Sequence, residues 1–245
     1  MVMLAGETIF SASDASVIRG TNDADLLDGG SGHDLVFGYG GNDSIDGTGG
    51  DTVLGGDGED TIYATSGLNY LRGDEGYDSI RGGSDFDDIN GNKGNDTIAG
   101  GDGADWLSGG QDNDVMRGDR GDDLVFGNLG EDTLDGGLGN DTIRGGQAND
   151  TMTGEAGDDW LFGDRGDDTM VGGVGADTFN IFTGAGVDRV LDFSIAEGDR
   201  VRVEFGTYTV GQVGADTVVD LGGGDRMVLV GVQFSTLPAG WIVTG

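Results

Sequence analysis

Residues 136–144 read GGLGNDTIR, and this stretch decides the fold because its pattern recurs along most of the chain. Taking Gly136 as position one places Asp141 at position six and Ile143 at position eight. The same frame extends in both directions over eighteen units, covering roughly residues 19–180. A repeat of such short period predicts a solenoid in which each unit contacts only its neighbours.

Position eight is apolar in all eighteen units, which predicts a continuous hydrophobic row. These residues are Leu27, Val36, Ile45, Val53, Ile62, Leu71, Ile80, Ile89, Ile98, Leu107, Met116, Val125, Leu134, Ile143, Met152, Leu161, Met170 and Phe179. One apolar residue between two outward ones indicates a three-residue strand, and the glycine-rich remainder indicates a turn that needs positive φ. Two units make one coil, so we expect a flattened right-handed helix of about nine coils, with strands about 4.8 Å apart.

Position six is aspartate in seventeen of the eighteen units. These residues are Asp25, Asp34, Asp43, Asp51, Asp60, Asp78, Asp87, Asp96, Asp105, Asp114, Asp123, Asp132, Asp141, Asp150, Asp159, Asp168 and Asp177. One such aspartate alone is usually a solvated turn residue, but a column in register offers carboxylate and backbone carbonyl oxygens together. That hard ligand set suits Ca²⁺, which takes six to eight oxygens.

The composition also leads us to expect a cationic partner. The 245 residues carry 46 acidic against 12 basic side chains, a formal charge of −34, so the compact chain repels itself. Phosphate-rich nucleic acid and anionic lipid surfaces have the same sign of charge and are disfavoured as partners. The chain has no cysteine, which excludes disulfides and thiolate metal sites, and no apolar run of the length that spans a membrane.

The units GGLGNDTIR, GGDGADWLS and GGSGHDLVF resemble the nonapeptide G-G-x-G-x-D-x-U-x of the RTX family of secreted calcium-binding parallel β-rolls. The resemblance implies that each ion lies between turns two units apart, held by their Asp carboxylates and by loop carbonyls. The glycines expected to contribute are Gly136, Gly139, Gly100 and Gly103. The ions would then be structural, and folding would be coupled to their binding.

Turns two units apart divide the aspartates into two ladders, which begin at Asp25 and Asp34. The first ladder has no gap in residue type. The second has two faults, because Asn69 replaces an aspartate and the unit that ends at Leu54 is one residue short. We therefore expect weak or missing calcium around residues 51–69 on that side. Position four, normally glycine, is occupied elsewhere by Asp23, Asp85, Asp112 and Ala148, of which alanine is the least compatible with positive φ.

The two sheets differ in their outward residues. The sheet of the first ladder shows mostly serine and threonine, whereas the other shows an apolar stripe that includes Trp106, Phe126, Trp160 and Phe162. Such a stripe suggests self-association or a covering segment of the same chain, and the burial of the tryptophans would distinguish the two. The threonine column resembles the regular threonine arrays of ice-binding calcium β-rolls, which also present threonine at position two of the turn. We disfavour ice binding because position two of this repeat is rarely threonine.

Catalysis finds little support in the sequence. His33 is the only histidine and lies in a turn, where a solvated side chain is the simpler interpretation. Pairs of acids suited to glycoside cleavage are unavoidable among 46 acidic residues and carry no information. We therefore expect a protein that is not an enzyme and has no catalytic residues.

After Asp177 the pattern changes to longer alternating strands, which predicts a small antiparallel β cap over residues 181–245 that closes the open end of the roll. The segments GVDRVLDF, with Asp188 and Asp192, and GDRVRV, with Asp199, look like the region that follows the repeats in RTX proteins secreted by type I machinery. That resemblance implies an uncleaved C-terminal export signal and an extracellular or cell-surface location. The segment 1–18 does not read as a cleaved export signal.

Taken together, these patterns predict an all-β protein, a right-handed parallel β-roll with a C-terminal antiparallel β cap. The expected divisions are an N-terminal cap segment at 1–18, a calcium-binding roll at 19–180 and the cap at 181–245. Multiple Ca²⁺ ions, a noncatalytic structural or interaction role and export by type I machinery are expected. The alternative is the C-terminal export and folding module of a secreted hydrolase or epimerase. The short segment before the first unit argues against that alternative.

Overall fold

The computed structural model describes residue 6, residues 8–10 and residues 15–245. In chain order the elements are β1 (Thr8–Phe10), β2 (Val17–Arg19), β3 (Leu26–Asp28), β4 (Leu35–Gly40), β5 (Ser44–Asp46), β6 (Thr52–Asp57), β7 (Thr61–Tyr63), β8 (Asn69–Glu75), β9 (Ser79–Arg81), β10 (Asp87–Lys93), β11 (Thr97–Asp102), β12 (Trp106–Gln111), β13 (Val115–Arg120), β14 (Leu124–Leu129), β15 (Thr133–Leu138), β16 (Thr142–Gln147), β17 (Thr151–Ala156), β18 (Trp160–Arg165), β19 (Thr169–Val174), β20 (Thr178–Phe182), β21 (Val187–Val190), β22 (Arg200–Glu204), β23 (Thr209–Val213), β24 (Asp216–Gly222), β25 (Asp225–Leu229), a short 3₁₀ helix (Phe234–Thr236) and β26 (Ile242–Thr244). Within these residues no helix is long and apolar enough to cross a membrane.

The strands form two sheets that face each other across one core. Strands β1 to β21 with odd numbers lie in one sheet, and β2 to β22 with even numbers lie in the other. Up to β19 and β20, each of these strands pairs in parallel with the strand two positions further along the chain. The chain is therefore a right-handed parallel β-roll, as the period predicts.

The number of turns differs from the sequence prediction. The eighteen repeat units predict nine coils, whereas the structure has about eleven turns. The first sheet alone contains eleven parallel strands from β1 to β21. The additional turns come from β1 and β2, before the first unit, and from β21 and β22, after the last. Parallel pairing thus continues where the sequence no longer shows the nine-residue period.

The core is the predicted row of position-eight residues. All eighteen are buried, and none is more than 2% exposed. Each stacks on the equivalent residue of the next coil, as Val125 does on Ile143 through strand pairing. Fully burying one such side chain contributes about 1.5–3 kcal/mol. The small core is repeated in every coil, so few apolar residues per unit are sufficient.

Most strands are longer than the predicted three residues. Strand β12 pairs with β14 from Trp106 to Gln111 and skips one pair, at Gly109, where the backbone bends. Pairing resumes at Gly110, whose φ is 122°, a value that favours glycine. The strands β3, β5, β7 and β9 keep three residues. The difference arises because the turn backbone still donates to the neighbouring coil after the bend.

The C-terminal residues combine both kinds of pairing. Strands β20 and β22 pair in parallel, and β21 pairs in parallel with β19 and β25, which corrects the expectation of antiparallel strands immediately after Asp177. Antiparallel pairing is confirmed for β23, β24 and β25. Phe193 packs between Phe179 and Trp241 at ring centroid distances of 6.1 and 5.9 Å, which joins the end of the roll to the cap.

The expected N-terminal cap segment at 1–18 lies mostly outside the described residues. Of its described parts, residues 8–10 form β1, which pairs with β3, and Val17 and Ile18 begin β2, which pairs with β4. Ile18 is 4% exposed and belongs to the core. These residues therefore continue the coil towards the N terminus.

Candidate calcium ladders

The position-six aspartates form two continuous backbone-to-side-chain ladders. The backbone N–H of Asp123 donates to Oδ1 of Asp141, and that of Asp141 donates to Oδ1 of Asp159, both at 2.8 Å. The same bond recurs from coil to coil along both ladders. The short unit does not break the second ladder, because Asp34 N–H donates to Asp51 Oδ1 at 2.8 Å across 17 residues. One oxygen of each carboxylate is thus used to hold the coil in register.

The second carboxylate oxygen is different, because it is buried and accepts no hydrogen bond from the protein. The repeat aspartates with an unpartnered Oδ2 are Asp34, Asp43, Asp51, Asp60, Asp78, Asp96, Asp105, Asp114, Asp123, Asp132, Asp141, Asp150, Asp159, Asp168 and Asp177. A buried charged oxygen without a partner carries its full desolvation penalty. A regular row of such oxygens therefore fits a row of bound cations.

Burial makes these carboxylates weaker acids. Burial, with the charges of neighbouring aspartates, raises the pKa of Asp114 and of Asp150 to about 8. Burial likewise raises the pKa of Asp123 to about 7 and that of Asp141 to about 6. The backbone N–H donated by the preceding coil lowers each pKa but does not offset the burial. Ionised ladders therefore need a counter-charge inside the turns.

Backbone carbonyl oxygens lie beside the Oδ2 atoms of the ladder aspartates. A Cβ placed on Gly118 would lie 2.3 Å from Asp123 Oδ2 and 2.4 Å from the carbonyl oxygen of Gly136. A Cβ placed on Gly82 would lie 2.4 Å from Asp87 Oδ2 and 2.4 Å from the Gly100 carbonyl oxygen. The two oxygens of each pair therefore lie within about 5 Å of each other, which fits oxygen ligands about 2.3–2.6 Å from one Ca²⁺.

The four glycines predicted to contribute carbonyls thus fall into two classes. Gly100 and Gly136, at position one, face carboxylates. The carbonyl oxygens of Gly103 and Gly139, at position four, instead face the position-four glycine of the next coil. No group of three or more His, Cys, Asp or Glu side chains suited to a metal occurs among the described residues. The ladders consequently offer carboxylates with carbonyls rather than a side-chain cluster.

Asn69 places an amide where the other units have a carboxylate. Its Oδ1 accepts the Asp51 N–H at 2.9 Å, so the ladder continues. Its Nδ2 donates to the Gly67 carbonyl oxygen and to Asp87 Oδ1, each at 2.8 Å. The amide hydrogens therefore occupy the gap between residues 69 and 87, whereas Asp51 Oδ2 in the preceding gap remains unpartnered. The expectation of weak or missing calcium around residues 51–69 stays a prediction, while the amide contacts lie in the next gap, between residues 69 and 87.

Ala64, which sequence reasoning did not single out, lies in the same unit as Asn69. It is the only position-one residue of the repeat that is not glycine, and it is 4% exposed. At Gly82, the next position one of this ladder, a Cβ would lie 2.4 Å from Asp87 Oδ2. By the same geometry, the methyl group of Ala64 would crowd a carboxylate at position 69. The alanine at position one and the asparagine at position six of this unit are therefore mutually consistent. A search of the sequence for residues other than glycine at position one would have found Ala64.

Two position-four residues adopt left-handed backbone conformations. Asp112 and Ala148 have φ of 73° and 83°. The hydrogen bonds accepted by the residues just before them, Gln111 and Gln147, are 3.3 and 3.2 Å long, against 2.8 Å for the equivalent bond to Leu138. The turns therefore keep their shape, but with a longer bond between coils.

Asp188 and Asp199 continue the two ladders beyond the repeat. The Asp168 N–H donates to Asp188 Oδ1 at 3.3 Å, and the Asp177 N–H donates to Asp199 Oδ1 at 3.1 Å. Sequence reasoning associated both residues with the export region and not with the ladders. The reason is spacing, since 20 and 22 residues separate the partners in place of 18.

The remaining candidate residues lie on the surface. His33 is exposed, and its Nδ1 contacts the Gly50 carbonyl oxygen at 2.8 Å. Trp106 and Trp160 are 48% and 41% exposed, so no described segment of the chain covers them. The guanidinium of Arg202 lies 5.4 Å from the centre of the Trp160 ring. The aromatic stripe is thus open to solvent.

Two solved structures show partial similarity. An extracellular lipase, LipA from Serratia marcescens, is 19% identical with a TM-score of 0.41, covering 80% of this chain and 40% of the lipase. A Ca²⁺-dependent β-helical antifreeze protein from an Antarctic bacterium is 22% identical with a TM-score of 0.34, covering 79% of this chain and 75% of that protein. This chain therefore spans less than half of the lipase. The comparison with curated proteins gives no match.

A family model gives the decisive comparison. The model of the RTX calcium-binding nonapeptide repeat (4 copies) matches residues 19–54, 45–80, 81–116, 108–147 and 144–179. The matched segments are continuous and cover well over half of the chain, including every repeat aspartate of both ladders. The chain belongs to the RTX calcium-binding nonapeptide repeat family.

Proposed function

We propose that this protein is an extracellular, noncatalytic β-roll whose folding is driven by several Ca²⁺ ions bound along the two ladders. The observation that carries the proposal is the row of buried, unpartnered Asp Oδ2 atoms. In the ladder of Asp123 and Asp141, each ion would be held by one carboxylate from each of two successive coils. A position-one carbonyl, such as that of Gly136, would complete the set with further oxygens. Calcium supplies the positive charge that these oxygens lack.

Folding would follow calcium because the ladders cannot be ionised and compact without it. Ions that bind the folded state alone stabilise it by mass action. The chain would remain expanded where calcium is scarce and would fold where calcium is abundant. Such behaviour fits export through a type I system, in which an unfolded chain crosses the envelope and folds outside. The family supports this route, as does the resemblance of the segments around Asp188 and Asp199 to the region that follows RTX repeats.

The noncatalytic role rests on the surface chemistry. The side chain of His33 lies in a solvated turn, and its partner is a backbone carbonyl rather than a nucleophile. The ladder carboxylates are buried and would be occupied by calcium. The proposed role is therefore structural or interactive, in the manner of a surface protein.

A calcium titration of the full chain tests the proposal. Circular dichroism should show little β-structure in chelator and a cooperative gain as calcium is added, while magnesium at equal concentration should produce much less, since it prefers an octahedral site with retained waters. Equilibrium dialysis should show several ions bound per chain. The proposal fails if β-structure is unchanged in chelator or if no calcium binds.

The aromatic stripe supports a second part of the proposal, which is self-association of calcium-loaded rolls. The surface is formed by Trp106, Phe126, Trp160 and Phe162, and Arg144 lies 5.0 Å over the Phe162 ring. Bound calcium would reduce the repulsion between two acidic copies and so allow the stripes to meet. Sedimentation velocity should give a larger mass with calcium, and the Trp160→Ser variant should reduce it. A monomer at all calcium concentrations would exclude this contact.

A further inference from the structure

The first ladder does not end at the last repeat aspartate. Asp188, on β21, receives the backbone N–H of Asp168 as the next rung, although 20 residues separate them. Strand β21 pairs with β19 through Thr169 and Arg189, which fixes Asp188 directly above Asp168 in the stack. The family match ends at residue 179, so this rung is formed by cap sequence. The roll and the cap therefore meet at a pair of aspartates.

This pair has the same buried and unpartnered carboxylate oxygens as the rungs within the repeat. Asp168 is 1% exposed and Asp188 is fully buried, and Oδ2 of each lacks a hydrogen-bond donor. The one hydrogen bond between the two residues is that of the Asp168 N–H to Asp188 Oδ1 at 3.3 Å, so the carboxylates are neighbours in the stack. Burial, followed by the charge of Asp168, raises the pKa of Asp188 to about 8. Two neighbouring buried carboxylates require either a cation or a proton.

The end of the second ladder provides a contrast. Asp199 accepts the Asp177 N–H at Oδ1 and the Ser194 N–H at Oδ2, at 3.1 and 2.7 Å. Both of its oxygens are thus satisfied by the protein. Among the described residues, no lysine or arginine forms an ion pair with Asp168 or Asp188. Only the first ladder ends on an unpartnered carboxylate oxygen.

We propose that a Ca²⁺ ion bound between the carboxylates of Asp168 and Asp188 fastens the C-terminal cap to the roll. The proposal rests on the calcium-bound ladders proposed above and adds a site outside the repeat. Strand β21 pairs on its other side with β25, where Asp188 lies opposite the buried Met227. An ion at this rung would therefore hold the β23–β25 hairpin sheet in place as a continuation of the roll. Closing this end removes an open edge of the parallel sheet.

Calcium stoichiometry of full-length variants tests the site. At saturating calcium, Asp188→Asn should bind one ion fewer per chain than the wild type by equilibrium dialysis. Asp199→Asn, a matched change at the satisfied end of the other ladder, should leave the number of ions unchanged. An unchanged number in Asp188→Asn overturns this inference while the proposed function stands. A wild type that binds no calcium overturns the proposed function itself.

A second measurement follows the docking of the cap. In a Trp106→Phe and Trp160→Phe background, Trp241 is the only tryptophan, and it is 7% exposed in the cap. Adding Asp188→Asn should move its fluorescence transition to several-fold higher calcium, while circular dichroism of the roll changes at the original concentration. Transitions that remain coincident contradict the inference.

A third measurement needs no change at Asp188, so it applies even if Asp188→Asn does not fold. The infrared spectrum of the wild type at neutral pH and saturating calcium should show no protonated-carboxyl band, because calcium replaces the proton. A band that persists in the wild type and is absent from Asp168→Asn would mean that Asp168 and Asp188 share a proton, and the inference would be wrong.

Discussion

At the scale of single residues, Asn69 shows how the protein can replace an ion with a side chain. An amide presents an oxygen to the preceding coil and hydrogens to the next, so its Nδ2 satisfies the Gly67 carbonyl and Asp87 Oδ1 without metal. A carboxylate at this position would need calcium, and the methyl group of Ala64 lies where the carboxylate and carbonyl oxygens of other units converge. This rung should therefore hold its structure in chelator better than its neighbours.

Restoring both residues should create a calcium site. The double variant Ala64→Gly/Asn69→Asp should bind one more ion per chain than the wild type, as measured by equilibrium dialysis. In chelator it should be less stable than the wild type by about 1–3 kcal/mol, because the new carboxylate is buried without a donor. With calcium the order should reverse. Chemical denaturation in each condition measures both effects.

Two controls identify the cause of the added site. Asn69→Asp alone should gain little calcium, since the Ala64 methyl group remains. Asn95→Asp makes the same chemical change at an exposed turn residue and should leave the ion count unaltered. An extra ion in Asn95→Asp, or none in the double variant, would contradict this account of the rung.

At the scale of the turn, Ala148 is under backbone strain. Its φ of 83° costs an alanine about 1–2 kcal/mol, and the hydrogen bond to Gln147 is long at 3.2 Å. Glycine would relieve this cost but would lose about 0.4–1 kcal/mol through the freedom of the unfolded chain. Ala148→Gly should therefore raise the thermal midpoint by about 1–4 °C at fixed calcium, measured by calorimetry.

Ala104→Gly is the matched control for the turn. Ala104 is exposed, lies at position five and does not have a left-handed φ, so glycine there should only lower stability. Opposite signs for Ala148→Gly and Ala104→Gly are the expected result. Equal shifts in one direction would show that backbone strain is not the cause.

At the scale of the elements, the period predicted the strands, the core and the aspartate ladders. Ile143, for example, can lie only in the buried row of position-eight residues, because every unit repeats the same strand register. The prediction missed Asp188 and Asp199 as rungs, because longer segments precede them and the nine-residue frame no longer applies. It also missed the coils formed by β1 and β2, whose sequences lack the glycine and aspartate of the unit. The register of strands that lie outside the nine-residue repeat can be recognised only from the strand pairs in the structure.

At the scale of the whole molecule, charge decides which state is stable. The chain carries a net charge of −34, and its most regular acidic residues are buried in two stacks. Calcium can neutralise the stacks from inside, and protons can do so in its absence. On acidification, the stabilisation by calcium should therefore weaken, whereas the stabilisation by protons should increase. Calcium requires ionised carboxylates, so its affinity should fall as the pH falls.

The metal-free protein should become more stable on acidification. Burial raises the pKa of Asp114 and of Asp150 to about 8, from 3.8, so the folded state binds more protons than the unfolded state between these pH values. Stability is then greatest near the lower limit and is lost as the pH rises towards 8. Thermal melts of metal-stripped protein followed by circular dichroism should show the midpoint rising by at least about 2–4 °C from pH 8 to pH 5.5. Calcium-loaded protein is the control and should show no such rise; a metal-free midpoint that is constant or falls would mean that the buried carboxylates do not govern folding.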